Sequence, residues 1–203
     1  MTIQKGHSWG EAGSLPPDGV VVRSDAEARA VVTTARSQGL ATPTIGLLGG
    51  DLCRTLGGTG DEARLRSGEA MTFPVDLGVV EMDDDEFVFV AHLIARRSWW
   101  WGRLVALMNA QWLGRWDLGP RSHPNDGLLD LTDGTMALGQ RLEARRRLAT
   151  GTHVPHPALT TQRAGTFTLD FERPLDIWLD GDRISQARHV VVRCEPDALH
   201  VVI

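Results

Sequence analysis

The sequence predicts an α+β protein: a small α/β region over residues 1–72, then a larger, antiparallel, β-rich region over 73–203. Three observations predict it. Strand-like and helix-like patterns alternate twice before residue 60. From residue 73 the texture changes to short apolar strands separated by acidic or Asp-Gly turns. One convincing helix interrupts those strands. The totals agree with a packed core, since 42% of residues are hydrophobic and 23% charged. The formal net charge of −5 argues against a general nucleic-acid binder. No apolar run approaches the ~20 residues of a membrane span. The opening MTIQKGHSWGEAGSLPPDG lacks the apolar centre of a signal peptide, so a cytoplasmic location is expected. Cys53 and Cys194 are far apart and form no C-x-x-C pair, so neither a zinc knuckle nor a disulfide framework is indicated. There is no Tyr, and every Trp but Trp9 lies between residues 99 and 178, which places a large apolar surface or core in the second half.

Taken in order, residues 1–18 read as a flexible lead-in rich in Gly, Ser and Pro. VVVR is a strand. The helix after it carries Ala28, Val31, Val32 and Ala35 on one apolar stripe, and Gly39 can stop it. PTIGLL is a short buried strand, and GGDLCRTLGG a glycine turn, a short helix and a glycine stop. Two β-α units are too few for a doubly wound sheet standing alone. FPVDLGVVEMDDDEFVFVAHLI predicts a hairpin around Asp83-Asp84-Asp85. RLVALMNAQWLGRWDLGP predicts a strand pair or one bent strand, and HPNDGLLDL a turn entering a strand. ALGQRLEARRRLATG is the helix. TFTLDF, LDIWLD, RHVVVRC and ALHVVI are four short strands, a spacing that suits a sandwich or a barrel.

Several stretches could carry chemistry. The turn RSDAEA joins a strand to a helix, where free N–H groups and the helix dipole attract anions. It has no glycine to admit a phosphate. Ser24-x-x-Glu27 fits a capping box that would occupy those amides, and Asp25 and Glu27 would repel an anion. Gly49-Gly50-Asp51 has the glycines the first turn lacks and could present backbone N–H groups to an anion, although turn geometry alone explains a glycine pair; Asp51 is an adequate N-cap either way. Asn125-Asp126-Gly127 is a turn signal, and Asp126 with backbone carbonyls could instead hold Mg²⁺ or Ca²⁺. Asp180-Gly181-Asp182 reads as a hairpin turn or as a pair of carboxylates for a base or a metal. Arg141, Arg145, Arg146 and Arg147 form a solvated face or a site for lipid headgroups or phosphates, and SWWWG is core or an exposed patch for a lipid or a partner. His92, His153 and His156 show no ligand spacing and are assigned no metal.

The succession NAQWLGRWDLGPRSHPNDGLLDL, a basic helix, THVPHP, RPLDIWLDGDRI and two closing strands resembles the C-terminal domain of the bacterial diacylglycerol-kinase-like lipid kinases, relatives of sphingosine kinases and more remotely of NAD kinases. The likeness runs from about Pro74 to Ile203 and implies an antiparallel β-sandwich. Residues 1–72 resemble the tail of the family's nucleotide-binding domain. VVVRSDAEARAVV falls where the family has a Gly-Gly-Asp-Gly-Thr loop, of which only Asp25 matches. Asp51 matches the aspartate of a later turn, with Gly50 in place of Asn. The family's first strands have no counterpart, and the stretch from Ile94 to Arg103 is short beside its helical insertion.

The resemblance implies ATP- and Mg²⁺-dependent phosphorylation of a lipid hydroxyl. Carried over, the structural Mg²⁺ position falls on His123, Asp126 and Leu128. The proton acceptor falls on Asp182, one methylene shorter than the family's Glu, with Asp180 beside it. The nucleotide site falls on Ser24, Asp25, Gly49, Gly50 and Asp51 in degenerate form, and these same residues speak against ATP. The expected protein is therefore a degenerate member that binds a lipid, a lipid-like molecule or a protein partner with weak or no phosphoryl transfer. Peripheral membrane contact is compatible with this, and nucleic acid is excluded as a partner. An active lipid kinase is the alternative, and the sheet edge of the small α/β region is expected to be covered by the β-rich domain or by a second copy, a homo-oligomer.

Overall fold

The computed structural model describes residues 9–154 and 156–203. The first eight residues of the expected lead-in, and Pro155 in THVPHP, lie outside the described residues. From Trp9 onward the lead-in is docked, contrary to expectation. Trp9 packs on Phe73 with ring centroids 4.7 Å apart, β1 (Glu11–Ala12) pairs with Thr72 and Met71, and Leu15 is buried. Apolar burial thus fixes a segment whose Gly and Pro content reads as loop.

The α/β region contains β2 (Val20–Val22), α1 (Asp25–Ser37), β3 (Ile45–Leu47), α2 (Asp51–Leu56) and the single turn α3 (Glu62–Leu65). Helix α1 buries Ala28, Val32 and Ala35 as the stripe predicts, and Gly39 beyond its end takes a φ of 65°. The remainder comprises β4 (Met71–Met82), β5 (Asp85–Phe89), β6 (His92–Arg96), β7 (Arg103–Met108), the small ladder β8 (Trp112–Leu113) and β9 (Trp116–Asp117), and β10 (Leu129–Thr135). Helix α4 (Leu138–Arg147), β11 (Leu159–Ala164), β12 (Thr166–Leu179) and β13 (Asp182–Val202) complete it.

The four strands predicted near the C-terminus are two long ones. β12 breaks register between Asp170 and Leu175, and β13 between Glu195 and Leu199. Pro174 and Pro196 fall in those breaks. A proline offers no N–H to a ladder, so pairing is interrupted there without ending the strand. Both two-residue turns have positive φ at each central residue, 51° and 68° at Asp83 and Asp84, 49° and 93° at Asp180 and Gly181. This is the twist that closes a tight hairpin. Asp85, expected in the first turn, is already paired with Met82.

Continuous pairing runs β1-β4-β13-β12-β6-β7-β10-β11, antiparallel throughout. The path folds over a core made by Phe167, Leu169 and Phe171 from β12, Val190 and Val192 from β13, and Leu93, Val105, Leu107 and Leu129 opposite. This is the sandwich expected. The α/β region joins the same sheet: β3 runs parallel to β2 and to the end of β13, with Val201 against Ile45. Its core is shared, since Val22, Ala28, Ile45 and Leu47 pack with Val75, Leu77, Val79 and Val201. The β-region thus covers the β3 side of this small sheet, one of the two covers expected, and β2 pairs with β3 alone among the described residues.

Within β4, Gly78 lies across from Phe89, and a Cβ there would sit 2.2 Å from the aromatic ring. Gly78→Ala is expected to lower stability by about 1–3 kcal/mol through overpacking. Gly68→Ala, where a Cβ meets nothing, should stay within about 0.5 kcal/mol of the parent. Urea denaturation of the two variants checks this; equal midpoints would refute it.

Candidate functional site

The two candidate anion turns of the α/β region are capped differently, the first by a serine hydroxyl and the second by a carboxylate. At α1, Ser24 is the N-cap and its Oγ accepts the Glu27 N–H at 3.2 Å. The Glu27 carboxylate accepts the N–H of Arg23 at 2.7 Å, one residue before the amide a capping box would use. Asp25 does not face outward at this mouth. Its side chain turns inward, is buried, and accepts the N–H groups of Asp51 at 2.6 Å and Leu52 at 3.1 Å. The N-cap of α2 is Gly50 rather than Asp51, and Gly50 supplies no side chain, so a carboxylate from α1 does the capping. Gly50 is needed there: its φ is 95°, and a Cβ would fall 2.5 Å from Asp25 Oδ1. Gly49 packs equally close, a Cβ falling 2.5 Å from the Arg23 carbonyl.

From this pair a buried polar cluster extends to the β-region. Asp51 Oδ1 accepts the Gly114 N–H at 2.8 Å, and its Oδ2 lies 3.1 Å from His92 Nε2. His92 begins β6 and is buried. Asp180, in the β12–β13 turn, is buried as well and accepts three backbone amides, those of Val90, Ala91 and His92 at 3.0, 2.9 and 3.1 Å. Arg29 of α1 approaches Asp180 at 3.8 Å and donates to Asp182 at 2.5 Å. Asp182, the position matched to a proton acceptor, is largely exposed and paired with this guanidinium. The structure thus brings Asp25, Asp51, Asp180 and Asp182 into one neighbourhood and adds His92 and Arg29. No local spacing signals His92, because its partners come from other segments.

Burial sets the electrostatics. It raises the Asp25 carboxyl above its ordinary range against the pull of two amides, and it pushes Asp180 up to about 6. Burial alone would lower His92, but the Asp51 hydrogen bond and the charges of Asp180, Asp51 and Asp25 reverse this, and its pKa is raised. One ligand atom from each of Asp25, Asp51 and His92 lies within 4.8 Å of the others, a spacing compatible with a metal ion. Each is already engaged, Asp25 by two amides and Asp51 by an amide and the imidazole. Mg²⁺ favours oxygen ligands and would have to displace those bonds, so the residues present are a poor fit for it.

The second metal position behaves similarly. Asp126 accepts the Leu128 N–H at 3.0 Å and is ion-paired with Arg163, which also reaches Asp130 at 3.1 Å. His123 Nδ1 accepts the Asn125 N–H at 3.2 Å, and its ring stacks against Trp9. A guanidinium therefore already neutralises the carboxylate that a cation would use. Behind this turn Asp76, fully buried, accepts the N–H groups of Gly127 at 2.7 Å and Asp197 at 2.9 Å. The sequence reading singles out neither Asp76 nor Arg163.

A separate apolar cavity of about 100 Å³ lies between α4 and the β7–β10 face. Trp99, Trp116, Leu118, Met136 and Leu148 form its walls. Thr132, Arg141, Arg145 and His153 are its polar groups, and burial lowers the His153 pKa. A few polar groups on an apolar wall is the usual make-up of a small-molecule site, although at about 300–1,000 Å³ such sites are larger.

Residues 79–203 match the family described as the YegS C-terminal NAD kinase beta sandwich-like domain. The match takes in more than half of the chain, and the protein belongs to this family. Among solved structures it is similar to a diacylglycerol kinase, so named provisionally, from Bacillus anthracis str. Sterne, with a TM-score of 0.67 at 14% identity, covering 91% of this chain and 77% of that one. A second diacylglycerol kinase structure from the same organism gives a TM-score of 0.56 at 16% identity, covering 91% and 75%. At such identities the likeness establishes the fold. No curated protein matches the sequence. The matched span coincides with the resemblance read from about Pro74 onward.

Two outcomes follow from the electrostatics. Because the folded Asp180 binds its proton more tightly than the unfolded chain does, its contribution to stability is greatest below about pH 4 and is lost as pH rises to about 6. Wild type should therefore lose stability relative to Asp180→Asn across that window, by up to about 3 kcal/mol; urea titrations at several pH values check it, and a constant difference would contradict it. For Arg163→Ala, Mg²⁺ or Ca²⁺ should raise the melting temperature of the variant but not of wild type, because the change frees Asp126 and Asp130; no response in either protein would contradict this.

Proposed function

We propose that this protein is a lipid-binding member of its family in which the phosphoryl-transfer side is closed. The observation that carries the reading is the carboxylate of Asp25 seated on the amides of Asp51 and Leu52. Phosphoryl transfer depends on positioning phosphates and neutralising their charge. Here the N–H groups of Asp51 and Leu52 at the second strand-to-helix turn, and that of Glu27 at the first, are bonded internally, and acids stand beside them. Asp182, Asp180 and the Ser24–Asp25 and Gly49–Asp51 turns then serve as structural ties. The described part of the 1–72 region, from Trp9 onward, buttresses the β-rich domain instead of forming a nucleotide cleft, and Arg163 replaces a cation beside His123, Asp126 and Leu128. The diacylglycerol kinases of the same fold suggest a lipid as the ligand class. The cavity bounded by Trp99, Trp116 and Leu148 has room for the end of an acyl chain, and Arg141 and Arg145 are placed for an anionic or hydroxylated head.

The competing reading, an active Mg²⁺- and ATP-dependent lipid kinase, draws support from the clustering of Asp25, Asp51 and His92. Calorimetry separates the two. Mg·ATP should give no binding in the micromolar range, and micromolar binding would overturn the closed-site reading. Radiolabel transfer from ATP to a panel of extracted lipids should give no product above that of Asp182→Asn. Lipid extracted from the purified protein and identified by mass spectrometry should fall away in Ala144→Phe, which fills the cavity. Protein that carries no lipid in either form would sink the lipid assignment.

A further inference from the structure

We propose that the face formed by the 98–102 loop and α4 docks on an anionic lipid bilayer. Among the described residues, every exposed large apolar side chain except Leu40 lies on this face: Trp100 at 41%, Trp101 at 64%, Leu138 at 56% and Leu142 at 46% exposure. The loop that presents the two tryptophans is an ordered knuckle. Ser98 Oγ accepts the Trp100 N–H at 3.0 Å, and Gly102 turns the chain with a φ of 81°. Arg141 of α4 donates to the carbonyls of Trp99 and Gly102, which fixes the helix beside the loop. Helix α4 has no buried residue, and Leu138 and Leu142 stand one turn apart on it.

Charge selects the occupant. The whole chain carries −5, yet this face is basic. Arg97, Arg146 and Arg173 are exposed and form no ion pair among the described residues. Arg145 lies over the rings of Trp100 and Trp116 at 5.1 and 5.2 Å, with its charge still available. The acids beside it are Glu143, paired with Arg147, Asp133, paired with Arg103, Glu172, and Asp170, which pairs with His189. Trp shallowly inserted at the headgroup level with flanking arginines is the pattern of an interfacial anchor. Trp100 and Arg145 also border the apolar cavity, so docking would turn its mouth toward the bilayer. The proposal rests on the lipid reading for its purpose and on exposure and charge for its geometry.

The test is co-sedimentation of the full chain with vesicles of phosphatidylcholine alone and with about one-third phosphatidylserine. Wild type should bind the anionic vesicles, less at high salt, and should remain in solution with phosphatidylcholine alone. Trp100→Ser/Trp101→Ser should lose most of the binding, and Arg97→Glu and Arg146→Glu should each weaken it at least about fivefold. These positions are exposed, and unchanged circular dichroism would show that the variants fold. Absence of wild-type binding to anionic vesicles would overturn the proposal, as would undiminished binding by the double Trp variant. So would sedimentation velocity showing a dimer that Trp101→Ser dissolves while vesicles bind neither protein. Loss of vesicle binding with lipid still co-purifying would fault the docking face alone; vesicle binding without co-purified lipid would fault the cavity assignment alone.

Discussion

Buried carboxylates that cap distant backbone hold this fold together. Asp25 satisfies the start of α2, Asp180 satisfies three successive amides leading into β6, and Asp76 satisfies Gly127 and Asp197. A buried charge is tolerated only where hydrogen bonds replace its hydration. Each of these aspartates finds two or three N–H donors, and each donor segment lies far away in sequence. Removing one carboxylate would therefore leave several buried amides without partners, a larger loss than removing a single contact. Other bonds tie the α/β region to the β-region: Asp51 to His92 and to the Gly114 amide, and Arg29 to Asp180 and Asp182.

The cluster is balanced by internal cations. Arg29 faces Asp180 and Asp182, His92 faces Asp51, and Arg163 faces Asp126 and Asp130. A carboxylate site that recruits an external cation must leave part of its coordination open. These sites are filled by side chains of the same chain, two of them by a guanidinium.

The legible part of the sequence was the part governed by short-range rules. The stripe of α1, the Ser24 cap, the two tight hairpin turns and the sandwich of alternating strands are set by neighbours within a few residues, and the structure contains them. The merging of four strands into β12 and β13 was not legible, because a proline reads as a terminus although a long strand can carry it through a register break. The role of Asp25 was half legible. Its position before a helix marked it as a local acid, but the amides it caps lie 26 and 27 residues on. His92 and Asp76 carried no signal at all: each acquires its partners from other strands and turns, and no spacing within one segment encodes that. The docked lead-in was missed for a related reason, since Trp9 packs on Phe73 and His123, and Leu15 on Leu65, Ala70 and Val202, all far along the chain.

The two ends of the molecule differ in a way that stability alone does not explain. At the acid–histidine end, the carboxylates of Asp25, Asp51 and Asp180 are bonded to amides and cations of the same chain, while His92 Nδ1 and Arg29 Nε are buried without a hydrogen-bond partner. At the α4 end, large apolar groups face water, a helix lies on the sheet without one buried side chain, and arginines stand unpaired. Trp101 and Leu138 contribute little packing where they stand and would favour aggregation if nothing covered them. A sequence that folds its polar centre this tightly has no physical need for so open an apolar face. Among the described residues nothing covers these tryptophans and leucines, and the arginines around them suit the proposed partner, a surface that is apolar beneath and negative above.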